Sequence, residues 1–188
     1  VSVKVITPPA AEPITLDEAK AHLRVFGPDD DAQIEGMISA ARGMLEKKTG
    51  RLLMPQVVEF ATPAWGYGIR AQAAPFRELV GVTYIDPEGV TVNMDPASVY
   101  VDSYIEPALI GLPYGGTWPA AQIGSLRIVR AAVGYDDADS IPAPLKQWML
   151  TAIAAMYDHR SAVIAGTIVA TLPEDFMHWL WHPYRVYF

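Results

Sequence analysis

Apolar positions recur with a helical period near the start of the chain. Thr15 with Glu18 three residues on is a capping-box pattern that predicts a helix from Leu16. Leu16, Ala19 and Leu23 then share a face, and Gly27-Pro28 is expected to end the element. Asp29, Asp30 and Asp31 supply negative charge where the dipole of a second helix favours it. Ile34, Met37, Ile38, Ala41 and Leu45 follow as a single buried stripe, opposite Glu35, Arg42, Glu46 and Lys47, with Gly50 as the stop. Residues 13–50 therefore read as a helical hairpin.

The period changes over 51–135. Short β-branched runs at 56–61, 81–85, 90–94, 99–101 and 126–133 are separated by proline and glycine. Asp86-Pro87-Glu88-Gly89 has the composition of a type I turn. This zone is expected to be an antiparallel β-insertion with long loops, and 106–122 matches no regular element. Helical spacing returns after Pro142-Ala143-Pro144, with Leu145, Trp148, Met149, Ala152, Ile153 and Met156 on one face and Leu150, Ala154 and Tyr157 on the other. A helix apolar nearly all round lies at a domain centre or between subunits. Residues 162–172 suggest a loop crossing a packed surface, and Pro173-Glu174-Asp175 the start of a last short helix to about Trp181. The expected fold is α+β: a single domain over 1–188, mainly a helical bundle, with C-terminal helices over 142–182 and an extended tail over 183–188.

Composition narrows the function classes. An apolar fraction of 51% argues against a disordered chain. No apolar run reaches the roughly 18 residues that span a bilayer, so no membrane association is expected. Val1 to Val5 leads straight into prolines, without the pattern of a signal peptide. With no cysteine, disulfides, thiolate metal sites and a cysteine nucleophile are excluded together. The net charge of −7 opposes a main role in gripping DNA, although a mildly acidic surface suits a conduit along which DNA slides.

Candidate chemistry is sparse. Gly66-Tyr67-Gly68-Ile69-Arg70-Ala71 imitates a dinucleotide fingerprint without its strand–turn–helix context. Glu174, His178 and His182 stand four apart, the spacing of a metal-binding helix face, but Pro183 interrupts the helix beside His182. A metal- or ligand-binding module on these three residues is the alternative reading. Asp136, Asp137 and Asp139 lack the glycine and final glutamate of a calcium loop and read as a solvated turn. No catalytic residue, cofactor or metal is expected, and the chain does not read as an enzyme. The densest signal is the segment 178–188, where Trp179, Trp181, Tyr184, Tyr187 and Phe188 accompany Arg185 and Val186. Trp, Tyr and Arg dominate interface energetics, so this segment is expected to dock on a partner.

Several segments occur in an order that resembles one family. Pro13-Ile14-Thr15-Leu16-Asp17-Glu18-Ala19-Lys20-Ala21-His22-Leu23-Arg24-Val25 precedes the Asp-rich cap, and Lys48-Thr49-Gly50-Arg51 leads into a strand. Val82-Thr83-Tyr84-Ile85-Asp86, Val99-Tyr100-Val101-Asp102 and Trp118-Pro119-Ala120 follow. Val133-Gly134-Tyr135-Asp136, Ile141 to Gln147 and Pro183-Tyr184-Arg185-Val186 complete the series. The chain resembles the head–tail connector (adaptor) proteins of tailed bacteriophages and gene transfer agents. The resemblance implies a structural protein of the virion neck, assembled in the host cytoplasm. Such proteins form a ring, usually of twelve subunits, beneath the portal protein and pass the DNA channel to a stopper or tail-terminator protein. DNA would traverse the ring without specific binding. By the same resemblance the C-terminal segment, with Trp179, Trp181, Tyr184, Arg185 and Val186, would contact the portal; Tyr187 and Phe188 follow the matched stretch and are expected to join that contact as large aromatics.

Overall fold

A computed structural model describes residues 3–159 and 174–188. The loop expected over 162–172 lies outside the described residues, as does Pro173. The remainder forms two compact units. One comprises Val1–Ala10, Pro55–Tyr135 and Val186–Phe188, and the other Ala11–Met54 and Asp136–Arg185.

The first unit is built on β-sheets. Its strands are β1 (Lys4–Thr7), β2 (Gln56–Thr62), β3 (Ile69–Arg70), β4 (Phe76–Ile85), β5 (Thr91–Met94), β6 (Tyr100–Asp102), β7 (Leu109–Gly111) and β8 (Arg127–Val133). They form a five-stranded sheet in the order β1-β2-β8-β4-β5 and a three-stranded sheet in the order β3-β7-β6. Every described pairing is antiparallel. In β2, Gln56, Val58 and Phe60 are buried, and Arg127, Val129, Ala131 and Val133 alternate in the same way along β8. On the other face Glu59 stands directly opposite Arg130 and accepts its guanidinium hydrogen bonds.

Strand β4 departs from simple alternation. Its buried residues are Leu79, Val82 and Tyr84, and its register against β8 shifts between Leu79 and Gly81. One extra residue exchanges the faces of everything beyond it, so the bulge returns Val82 and Tyr84 to the core side. The long connection before β8 is held by an aromatic stack. Trp65 lies parallel to Trp118 with ring centroids 4.7 Å apart, and its indole N–H donates to the Pro119 carbonyl at 2.9 Å. Tyr84 meets the edge of Trp65, and the Arg127 guanidinium sits 5.4 Å from the Trp65 ring centroid. Arg127 also donates to the carbonyls of Pro63 and Ser125.

The second unit contains α1 (Leu16–Leu23), α2 (Asp31–Thr49), α3 (Ala143–Asp158) and α4 (Glu174–Trp181). Thr15 Oγ1 accepts the Glu18 amide at 3.1 Å, as the capping pattern requires. Helix α1 stops at Leu23, earlier than Gly27-Pro28 suggests, because Arg24 takes a left-handed conformation. Gly50, with φ of 72°, closes α2. Ile34, Ile38, Ala41 and Leu45 of α2 are buried, as are Leu145, Trp148, Met149 and Ile153 of α3. The Tyr157 hydroxyl bonds Asp30 at 2.5 Å, so the end of α3 meets the start of α2 and the two helices run antiparallel.

The expectation of a mainly helical bundle with a β-insertion is overturned. Among the described residues the fold is mixed α+β, with two antiparallel sheets beside four short helices. Strand β1 pairs with β2 from outside the 51–135 zone, and β7 forms inside the stretch that matched no element. A strand of only three or four residues carries too little alternation to announce itself, and all four of β1 are exposed.

The exit of α2 carries a polar network. Arg42 binds both carboxylate oxygens of Glu12 and reaches Glu46 at 3.3 Å. Glu46 also accepts the Leu53 amide at 2.9 Å. Burial pushes the Glu46 carboxyl above its ordinary value of 4.5, against the pull of the Leu53 amide and Arg42. The folded protein therefore keeps this proton to higher pH than the unfolded chain, and the group's contribution to stability falls as pH rises through that window. Glu46→Gln preserves an acceptor for Leu53 without a titrating proton. The stability of the natural protein relative to this variant should fall as pH rises from about 4.5, in urea unfolding across a pH series. A rising difference would contradict the assignment.

Candidate functional site

The C-terminal segment is anchored by the end of α2. Arg51 Nε donates to the Tyr184 carbonyl at 2.5 Å, and Lys48 Nζ lies 5.4 Å from the Trp181 ring centroid. A cation over an indole face is favoured by the ring quadrupole. Trp181 also packs edge-on against His178 at 5.0 Å between centroids. Pro183 does not begin an extended tail: His182–Tyr184 continues α4 as a 3-10 turn, and the chain becomes extended at Arg185.

The seven residues expected to meet a partner differ in exposure. Trp181 and Tyr184 are half-buried against their own unit. Val186 is only 8% exposed and groups with the β unit, together with Tyr187 and Phe188. Trp179, Tyr187 and Phe188 remain 71%, 66% and 53% exposed. Arg185 is exposed and borders an open groove of about 450 Å³ with Met44, Lys47, Lys48 and Trp181. The segment thus divides into side chains held by the fold and aromatic side chains turned outward.

The other candidates separate clearly. His178 and His182 face each other with ring centroids 4.3 Å apart, tilted by 31°. The Glu174 side chain lies outside the described residues, and among those described no group of three His, Asp or Glu side chains could hold a metal ion. Residues 66–71 lead into β3, not a helix. A Cβ on Gly68 would come within 2.9 Å of the Ile110 carbonyl, so this glycine permits close strand approach and cradles no phosphate. Asp137 is fully solvated, and hydrogen bonds from the Ser140 hydroxyl and amide hold its carboxyl below the usual range.

One feature was not singled out from the sequence. Tyr67, Tyr104 and Tyr114 project fully into solvent from loops of the β unit. Their only sequence signal is flanking glycine, proline or serine, which marks a loop without revealing which way its ring points.

Residues 13–72 match the family model described as phage gp6-like head-tail connector protein. Over the whole chain the fold matches a chain from the neck of an empty gene transfer agent particle computed with C6 symmetry. That match has a TM-score of 0.77 and 19% identity, covering 100% of this chain and 97% of the other. A chain from the virion of a native gene transfer agent particle gives the same values. A third, from a native neck computed with C12 symmetry, has a TM-score of 0.76 at the same identity and coverage. The resemblance to head–tail connectors is borne out. At this identity the structural likeness establishes the fold. No curated protein matches the chain.

The division of the C-terminal segment has a direct consequence for stability. Val186→Asp should cost about 2 kcal/mol or more, since it removes a buried apolar side chain and places a carboxylate in its position. Tyr187→Ser combined with Phe188→Ser should cost less than Val186→Asp, since both side chains are more than half exposed. Urea unfolding of both variants checks this, and equal losses would contradict the division.

Proposed function

We propose that this chain is a structural head–tail connector of a tailed phage or phage-like particle. It forms a ring beneath the portal that continues the DNA channel and joins the head to a stopper or tail protein. The observation that carries this reading is a fold matched over the whole chain to subunits of a particle neck, with a connector-family match over residues 13–72. The C6 and C12 symmetry of those necks supports a closed homo-oligomeric ring, with twelve copies as the number that satisfies both. The role is architectural, not catalytic. The chain resides in the virion neck after assembly in the host cytoplasm.

The outward aromatics supply the portal contact. Trp179, Tyr187 and Phe188 are the members of the seven-residue set with large apolar area still available. Burying one such side chain is worth roughly 1.5–3 kcal/mol, and a ring repeats the gain at each subunit. Trp181, Tyr184 and Val186 support this contact by holding the segment in place, and Arg185 adds a cation at its border. DNA passes without tight binding, because a net charge of −7 per subunit provides no excess of cations for phosphate.

Particles made without this chain should be DNA-filled heads lacking tails. Trp179→Ser, Tyr187→Ser and Phe188→Ser together should reproduce that defect while the purified variant retains its circular dichroism spectrum. Electron microscopy of the particles checks both outcomes. Normal tailed particles without the chain would refute the connector role; normal particles with the triple variant would refute only the portal contact.

A further inference from the structure

The groove at the end of α2 is cationic in an acidic protein. Lys47, Lys48 and Arg185 supply three of its five lining residues, and Met44 and Trp181 supply an apolar floor. Lys48 leans over Trp181, while Lys47 is exposed and forms no ion pair among the described residues. An occupant should carry more than one carboxylate on a short, well-ordered segment.

The chain itself presents such a segment at the start of α3. The Asp137 carboxylate accepts from the Ser140 amide at 2.8 Å and the Ser140 hydroxyl at 2.7 Å, which fixes the 137–140 turn. Asp139 is also fully exposed, with only Lys146 at 3.9 Å. Neither carboxylate reaches a lysine or arginine of the groove.

Both features lie at one end of the helical unit. Helices α2 and α3 are antiparallel, so the turn that enters α3 is at the same level as the groove beside the end of α2. Rotation about an axis parallel to these helices leaves that level unchanged. In a cyclic ring whose axis runs along these helices, the groove of one copy can face the acidic turn of the next, as a heterologous interface requires. Charge pairs at such an interface set register and exclude other orientations.

We propose that the Met44–Lys47–Lys48–Trp181–Arg185 groove receives the Asp137–Asp139 turn of the adjacent copy in the ring. This rests on the ring proposed above. Trp181 then serves contact between copies, Arg185 stands at the border of both contacts, and the outward Trp179, Tyr187 and Phe188 are left for the portal.

The absence of cysteine makes a clean test possible. Lys47→Cys and Asp139→Cys are placed in separate chains, both at exposed positions, and the two chains are co-assembled into particle necks. Mild oxidation should give disulfide-linked dimers containing one of each variant, resolved on non-reducing gels, and necks assembled from either variant alone should give none. Since each chain carries a single thiol, every such dimer joins two copies. An intact ring in the necks with no cross-linking above the single-variant controls would overturn the groove assignment and leave the connector role standing. If the necks contain no ring of this chain, both fall.

Discussion

The structure depends on how α2 ends. Its last turns bind outward in several directions: Arg42 and Glu46 hold Glu12 and the Leu53 amide, Arg51 grips the Tyr184 carbonyl, and Lys48 covers Trp181. Thr49 closes the turn from within, donating its hydroxyl to the Leu45 carbonyl and accepting the Arg51 amide. The buried stripe from Ile34 to Leu45 fixes the helix against α3, and the polar cluster at its end converts that position into a place for the C-terminal segment. Burying a carboxylate here is unfavourable and pushes the Glu46 carboxyl upward, and it is tolerated because its oxygens receive an amide and a guanidinium.

The division of labour along residues 179–188 follows from this anchoring. A segment whose aromatics were all free would lose conformational entropy on docking and would bind weakly for its area. Here Trp181, Tyr184 and Val186 are already committed to the fold, so the exposed rings of Trp179, Tyr187 and Phe188 are presented with much of that ordering complete. The β unit offers a second set of outward rings in Tyr67, Tyr104 and Tyr114, on loops whose roots are tied to the small sheet and the Trp65–Trp118 stack. In the connector role proposed above the chain has neighbours on several sides, and large aromatics supply contact area at low cost in conformational entropy.

Much of this was legible in the sequence where one residue pattern maps onto one face. The Ile34, Ile38, Ala41, Leu45 stripe (Met37, expected in it, is only half-buried), the Thr15–Glu18 cap and the β-branched runs that form β2 and β8 are local signals that the structure realises. The balance of the fold was not legible. Strand β4 reads as starting at Gly81 because its register shifts near Glu78 and Leu79 break the alternation of its first half. Strand β1 buries nothing, so no apolar period marks it. At the candidate site the aromatic density was plain, but the sorting of Val186 inward and Phe188 outward depends on contacts with residues far away in sequence. The Arg51–Tyr184 bond, across more than a hundred residues, leaves no trace in either local pattern.

The central claim is that many copies of this chain close into a ring in a particle neck. Three-dimensional imaging of the neck of the native particle, at a resolution that separates α2 from α3, tests it most directly. The account predicts a closed ring of this chain between head and tail, with the Trp179–Phe188 segment of every copy directed to the head side. A neck built without this chain, or holding it as a single unringed copy, would contradict the account.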